Sequence, residues 1–344
     1  MRELLKALAR RNDRNRYVVY ARERWDEPLD DRFSWRLFRL PDPWWHLRTA
    51  AAANAECDVF LSTNSYLTVW FLRTRSAVVV YDLVAFQPGA AAKRRSARIE
   101  HATIGLALRR TSVAICISEA TRRDLISRFP DSTAKARTVH LAAPSAFENL
   151  GHAADVEDLR RRYAIDRPFV LCVGTLEPRK NLVRVIDAYT GLPPDLRSRY
   201  RLAIVGPRGW EYEAILERAR SRAGEIAILG HVPDEDLAGL YRLCDVFCYP
   251  SLYEGFGLPL LEAMAAARPC ITSNVSSLPE IGGESVFYVD PTSVASIREG
   301  LARLLERDDE RAALGERAAR RARTFSWDRT ADDVLGLLAS SATP

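Results

Sequence analysis

Short apolar runs alternate along this chain with longer segments whose apolar positions recur every three to four residues. In the first half the runs are 17–21, 35–40, 58–61, 77–82, 113–118 and 138–142. In the second half they are 169–174, 202–206, 226–229, 246–249, 270–272 and 286–289. Helical periodicity fills the gaps, as at 181–189, 211–223, 234–244 and 258–267. Apolar strands alternating with amphipathic helices predict parallel sheets covered on both faces. Twelve strands exceed one ordinary open sheet, so the pattern predicts two α/β domains. The polar stretch 143–151, with Pro144 and Gly151, marks the boundary. It gives a first domain over 1–150 and a second over 151–325. A short charged helix, 157–163, opens the second domain, and helices at 294–306 and 309–324 close it. A last amphipathic helix within 326–344 is expected to pack back on the first domain.

The start of the chain breaks the pattern. Residues 3–11 read as a helix with Leu4, Leu5 and Leu8 on one face, and 17–21 is then the first strand. A doubly wound domain ordinarily opens with a strand at the middle of its sheet. The first domain therefore reads as lacking its opening strand.

Composition fits this picture. The 344 residues are 47% hydrophobic and 28% charged, as expected of a globular chain. No apolar run is long enough to span a bilayer, and the N-terminal stretch does not read as a secretory signal. Six cysteines at 57, 116, 172, 244, 248 and 270 form no Cys-x-x-Cys pair, and the expectation is reduced structural thiols in a cytoplasmic protein. Five histidines lack metal-ligand spacing, and no zinc site is expected. Charge is uneven: residues 1–150 carry a net +9 and residues 151–344 a net −4. A basic half suggests an anionic partner such as a lipid surface, a lipid diphosphate or nucleic acid; the alternative is a solvated arginine-rich face. No nucleic-acid motif is present, so nucleic acid is not the expected partner.

Two constellations carry candidate chemistry. The first runs from Asp245 to Glu262. An apolar strand ends at Pro250, a Gly255-Phe256-Gly257 turn follows, and a helix opens near Leu258, with Glu254 and Glu262 bracketing the turn. A strand leading through glycines into a helix N-terminus presents free backbone N–H groups to an anion. Carboxylates beside that cradle suit a ligand with hydroxyls as well as phosphates, which describes a nucleotide-sugar. The second constellation is Val-Gly-Thr-Leu-Glu-Pro-Arg-Lys-Asn at 173–181. It lies at the carboxyl edge of a strand, where open α/β sheets bind ligands. Arg179 and Lys180 supply two cations able to neutralise a departing diphosphate without a metal. Asp234-Glu235-Asp236 superficially matches a metal-binding Asp-x-Asp, but Asp234 after Pro233 reads better as a helix N-cap. Trp25, Trp44 and Trp45 suit acceptor contacts, a membrane edge or plain packing.

These motifs, together with Val-Pro-Asp-Glu-Asp-Leu at 232–237 and Ser-Ser-Leu-Pro-Glu at 276–280, occur in the order found in family 4 of the retaining glycosyltransferases. The chain resembles that family over nearly its whole length, most strongly over 170–290. The resemblance implies the GT-B fold, two Rossmann-like domains with parallel sheets facing a cleft. It implies that Arg179 and Lys180 hold the donor diphosphate and that Glu254 lies close to the transferred sugar. It implies that the backbone of Gly255, Phe256, Gly257 and Leu258 meets sugar hydroxyls and phosphate, and that Glu262 binds the ribose. Gly174 allows the tight turn, Gly206, His231 and Val232 would border the base, and Ser118 would face the cleft.

Three positions depart from the family pattern. The opening strand and its glycine loop are missing, which is expected to mean either a start lying upstream or a weakened homologue. Tyr81-Asp82 stands where the family has His-Asp beside the donor sugar, and Ala142-Ala143 replaces an interdomain glycine. Tyr81 and Asp82 are nonetheless candidate catalytic residues. The implied activity is metal-independent, cofactor-free transfer of a mannose-like hexose from a nucleoside diphosphate sugar. GDP-mannose is the first expectation for the donor and a UDP-sugar the second. The implied acceptor is a glycan, free or linked to polyprenyl diphosphate, in surface polysaccharide assembly. Lys93, Arg94, Arg95, Arg98, Arg109 and Arg110 are expected to bring the chain to the inner face of the membrane. The alternative is a catalytically impaired nucleotide-sugar-binding homologue or partner subunit.

Overall fold

The computed structural model describes residues 1–26, 29–63, 65–87, 95–148 and 156–342. Twelve strands are found among them: β1 (Tyr17–Ala21), β2 (Phe33–Leu37), β3 (Val59–Ser62), β4 (Arg75–Val80), β5 (Val113–Cys116), β6 (Ala136–Thr138), β7 (Phe169–Val173), β8 (Arg201–Val205), β9 (Ile226–Gly230), β10 (Val246–Tyr249), β11 (Cys270–Ser273) and β12 (Phe287–Val289). All pair in parallel. The chain divides into two compact units, one of Met1–Leu141 with Ser326–Pro344 and one of Ala142–Phe325.

In the second unit six strands lie in the order β12-β11-β10-β7-β8-β9. This is the doubly wound arrangement of a Rossmann-like fold, and it follows from the sequence. Phe169, Val170, Leu171 and Cys172 of β7 are all buried, as are all four residues of β10. A strand covered on both faces is apolar throughout and does not alternate. The helix Leu182–Thr190 turns Leu182, Val185, Ile186 and Tyr189 inward, and the helix Val294–Glu306 buries Ile297, Leu301, Leu304 and Leu305 beside it. Full burial of a side chain such as Phe247 contributes about 2 kcal/mol.

The first unit holds a four-stranded sheet, β3-β4-β5-β6, and a separate pair, β1-β2. No described strand joins β1 to β3. The helix Arg2–Ala9 buries Leu4, Ala7 and Leu8 in one cluster with Ala331 of the helix Trp327–Ala342. That last helix also lies on β3, β4 and β5.

Two expected elements sit elsewhere. The second strand begins at Phe33, not at residue 35, because Tyr17 pairs with Phe33 and fixes the register. Asp234, expected as an N-cap, is instead the first residue of the helix Asp234–Leu243, with Pro233 as the cap. Asp234 is therefore inside the first turn and caps nothing; its charge near a helix N-terminus is favourable there.

The β7–β8 edge contains an unusually close backbone approach. A Cβ on Gly206 would lie 2.0 Å from the carbonyl oxygen of Gly174, and both glycines have φ of +148°. Gly206→Ala should cost more than about 3 kcal/mol of stability. Urea unfolding checks this, and a loss under about 1 kcal/mol would show that the strand ends separate at little cost.

Candidate functional site

β7 and β10 are neighbours in the second unit's sheet, yet the chain leaves them in opposite directions, toward β8 on one side and β11 on the other. Such a switch point opens a crevice at the carboxyl ends of the strands, and ligands of open α/β sheets bind there. The loop after β7 carries Gly174 to Asn181, and the loop after β10 carries Pro250 to Gly257.

The two loops are tied together before any ligand is considered. Leu252 N–H donates to the Arg179 carbonyl at 2.9 Å. The buried Asn181 side chain donates to the carbonyls of Pro250 at 2.9 Å and Pro291 at 2.7 Å. Asn181 has φ of +62°, a left-handed conformation that asparagine tolerates better than most residues. This turn aims Arg179 and Lys180 at the other loop.

What they meet is Glu254. Its Oε2 accepts from Arg179 at 2.7 Å. Its Oε1 accepts from Lys180 Nζ at 2.7 Å and from the Tyr249 hydroxyl at 2.7 Å. Lys180 Nζ also lies 2.6 Å from Tyr249 Oη. Arg179 reaches back to Glu177 at 2.8 Å. Glu177, Lys180 and Glu254 are all buried. The Glu254 backbone is clamped by Ser276, whose hydroxyl accepts from its N–H at 3.0 Å, and by Ser277, whose hydroxyl donates to its carbonyl at 2.9 Å.

Burial pushes the Glu254 carboxyl up, but the charges of Lys180 and Arg179 outweigh it and hold the group below its ordinary value. Burial lowers Lys180, with Glu254 offsetting part of that. Arg179 is also penalised by burial, yet Glu254 and Glu177 together raise it. Two carboxylates and two cations thus form a buried group with no net charge, which is how a protein interior tolerates ions.

The glycines shape the space around it. A Cβ on Gly174 would press on Lys180 Cε at 3.1 Å, so the glycine leaves room for the lysine stem. Gly257, at φ +98°, caps the helix Leu258–Ala265; Pro259 has no N–H, and the N–H groups of Leu260 and Leu261 donate to the Gly257 carbonyl at 3.0 and 3.2 Å. Phe256 is buried and meets Phe325 edge-on at 6.1 Å.

Glu262 lies four residues into that helix. Its Oε2 accepts from the buried Tyr241 hydroxyl at 2.9 Å. Burial pushes its carboxyl up to about 7, with nearby Asp234 adding to the rise. Val232 is buried and His231 exposed at the end of β9. Asp236 is committed to Tyr163 at 2.6 Å and to Arg162, so the Asp-Glu-Asp stretch ties one helix to another.

Three candidate residues belong to the first unit. Tyr81 is 39% exposed just beyond β4. The Asp82 carboxylate accepts from the Val84 N–H at 2.9 Å. Ser118 is fully buried, and its hydroxyl caps the helix Glu119–Arg128 through the Thr121 N–H at 3.0 Å. The first-unit cations Arg98, Arg109 and Arg110 are exposed on the helix Arg95–Arg110; Lys93 and Arg94 lie outside the described residues. Motif reading passed over Glu177, Asn181, Tyr241 and Tyr249. Glu177 and Asn181 flank the Arg-Lys pair, which was the available signal; the two tyrosines were absorbed into apolar patterns.

Residues 155–321 match the family model described as glycosyl transferases group 1. The chain is 38% identical over 216 residues to O-antigen chain mannosyltransferase B of Escherichia coli, covering 62% of this chain and 57% of that protein. It is 31% identical over 229 residues to the serotype-specific mannosyltransferase WbdA of Escherichia coli, covering 64% of this chain and 28% of that protein. The chain thus spans about half, or less, of the length of the curated relatives it matches. Among solved structures it is similar to a sucrose-phosphate synthase from Thermosynechococcus elongatus, with a TM-score of 0.76 at 20% identity, covering 98% of this chain and 92% of that one. It is also similar to HepE of Anabaena in complex with UDP-glucose, with a TM-score of 0.74 at 18% identity, covering 89% and 86%. At those identities the structures show the fold, which is GT-B.

Glu262 yields a pH test. Its folded value, about 7, lies above the ordinary 4.5. Its contribution to stability is therefore present below about pH 4.5 and lost as pH rises through about 7. Glu262→Gln keeps the Tyr241 bond without the charge. The empty variant should be more stable than the natural protein by on the order of 2 kcal/mol at pH 8, and about equal to it near pH 4. Urea midpoints at the two pH values check this; the same offset at both would rule out a buried, titrating Glu262.

Proposed function

Residues 155–321 belong to the group 1 glycosyl transferases, and from that premise we propose that this chain is a retaining, metal-independent glycosyltransferase of polysaccharide synthesis. It moves a mannose-like hexose from a nucleoside diphosphate sugar to a glycan, free or carried on polyprenyl diphosphate. The observation that carries the proposal is the meeting of Arg179, Lys180 and Glu254 at the switch point of the second sheet. A bond from sugar to diphosphate breaks with negative charge gathering on the leaving group. Arg179, Lys180 and the N-terminus of the helix Leu258–Ala265 supply positive potential for that charge. Glu262 accepts from the ribose hydroxyls, and Glu254 lies against the transferred sugar. The acceptor hydroxyl attacks from the face the diphosphate leaves. The names of the mannosyltransferase relatives favour mannose, and with it a GDP donor over a UDP donor.

Binding and transfer are separable. A nucleotide that binds only the folded state raises the melting temperature by mass action. GDP should do so more than UDP or ADP, and replacing Arg179 and Lys180 together by Gln should abolish the rise. With the matching sugar nucleotide, transfer should survive EDTA and give a product of unchanged anomeric configuration by NMR. Loss of activity in EDTA, or inversion, would overturn the mechanism. Binding without any transfer would favour the impaired homologue, the reading to which Tyr81 points.

The acceptor side is proposed to lie at an anionic lipid surface on the cytoplasmic side. Replacing Arg98, Arg109 and Arg110 together by Ala should weaken binding to anionic vesicles at least tenfold at low salt, since each cation near such a surface contributes about 1 kcal/mol. Unchanged sedimentation with vesicles would sink that part.

A further inference from the structure

The buried cluster contains a group with no role in the reading above. Tyr249, the last residue of β10, is 3% exposed, and its hydroxyl sits between the two ions. It accepts from Lys180 Nζ at 2.6 Å and donates to Glu254 Oε1 at 2.7 Å. Lys180 Nζ also lies 4.9 Å from the centre of the Tyr249 ring. The phenol is thus bonded through its hydroxyl to both members of the ion pair.

This geometry poses a problem once a diphosphate arrives. Phosphate oxygens compete with Glu254 for Lys180 and Arg179. A carboxylate that loses both cations while staying buried is left with a large desolvation cost. The groups facing Glu254 are Glu177, Arg179 and Lys180 from the loop after β7, Tyr249 from β10, and Ser276 and Ser277 from the segment after β11. The two serines hold its backbone, and Glu177 cannot donate while ionised. Tyr249 is the remaining side-chain donor to the carboxylate among the described residues.

Ser251 adds a second observation. Its hydroxyl is fully buried, lies within hydrogen-bonding reach of the Tyr249 phenol, and completes no hydrogen bond with any described residue. An unsatisfied buried hydroxyl is uncommon and calls for an explanation. If Lys180 leaves, the Tyr249 oxygen has a vacated lone pair, and Ser251 has a proton to offer it.

We propose that Tyr249 is a positioning residue: its hydroxyl stays on Glu254 Oε1 when the donor diphosphate draws Lys180 away, keeping Glu254 ionised and aimed at the sugar, and receives Lys180 again when the nucleoside diphosphate departs. No bond breaks in this exchange. Lys180 trades Tyr249 and Glu254 for phosphate, Tyr249 keeps its proton donated to Glu254, and Ser251 takes the lysine's place on the phenol oxygen. The proposal rests on the reading that Arg179 and Lys180 hold the donor diphosphate.

Tyr249→Phe tests it. Calorimetric titration with GDP and with UDP is run on the natural chain first; absence of binding to either defeats the donor-site reading itself, before the variant is examined. Where binding is found, the variant should bind the same nucleotide about tenfold more weakly at pH 8. Without the phenol, Glu254 in the loaded site takes a proton from solvent. The variant should then take up more protons on binding than the natural chain, measured in buffers of different ionisation enthalpy. Its deficit in affinity should shrink toward pH 6, where that proton is easier to supply. Titration of Glu262 and of the nucleotide phosphate is common to both proteins and cancels in the comparison. The melting temperature of the empty variant reports folding, and adding Ser251→Ala should then lower nucleotide affinity in the natural background but not in Tyr249→Phe. A purely structural tyrosine predicts a pH-independent change in affinity and no difference in proton uptake, and either result overturns the proposal.

Discussion

The charge on Glu254 is the constraint from which the second unit's site is built. A carboxylate that is 7% exposed cannot remain ionised unless cations and hydrogen-bond donors are fixed around it. Arg179, Lys180 and Tyr249 do this, and each is held in turn: Arg179 by Glu177, Lys180 by the space that Gly174 leaves, Tyr249 by the end of a fully buried strand. Removing one partner of a buried ion pair costs roughly 3–5 kcal/mol because the other is left uncompensated. The same arrangement that makes the empty fold tolerable therefore keeps two cations in store at the place where a diphosphate would need them.

Helix electrostatics sharpen this. Arg179 and Lys180 do not sit inside a helix N-terminus, where the dipole would oppose them. They occupy a tight turn, Pro178–Lys180, ahead of the helix Leu182–Thr190. Their charge is answered by carboxylates on either side. Across the crevice, the helix beginning at Leu258 has no acidic residue in its first turn and a glycine at its cap. Its positive end is left unneutralised by its own sequence. One loop thus offers side-chain cations and the other the positive end of a helix, a division of labour suited to a ligand with both phosphates and hydroxyls.

Much of this was legible in the sequence. β10 was read as 246–249 and is found at Val246–Tyr249, because a strand buried on both faces and stopped by proline leaves little ambiguity. The family motif singled out Glu254, Arg179 and Lys180, but not that they pair with one another. What escaped were residues whose type suits two roles. Tyr249 and Tyr241 scored as apolar positions, yet their hydroxyls are what the two site carboxylates share. Ser118 also has a capping role that the motif did not show: at the end of a strand and the start of a helix its hydroxyl satisfies an orphan N–H group of that helix. Asn181 was visible only as the end of a motif; its left-handed backbone and its two bonds across the crevice need the fold to be seen.

The two site carboxylates are held in opposite ways, and under the proposed function the difference suits them to different work. Glu254 has cations on both oxygens and stays ionised, so it presents fixed negative charge beside whatever the crevice holds. Among the described residues Glu262 has one phenol and no cation against it, and near neutral pH it hovers between its two forms at about 7. Environments that push neighbouring titratable groups apart mark a site with divided chemistry. A neutral ribose, offering hydroxyl donors, suits a carboxyl that can ionise as the donors arrive. A sugar developing positive charge suits a carboxylate that is ionised already. The tyrosines make the difference possible, since each supplies one hydrogen bond without adding charge, and the position of the cations alone decides which carboxyl is which.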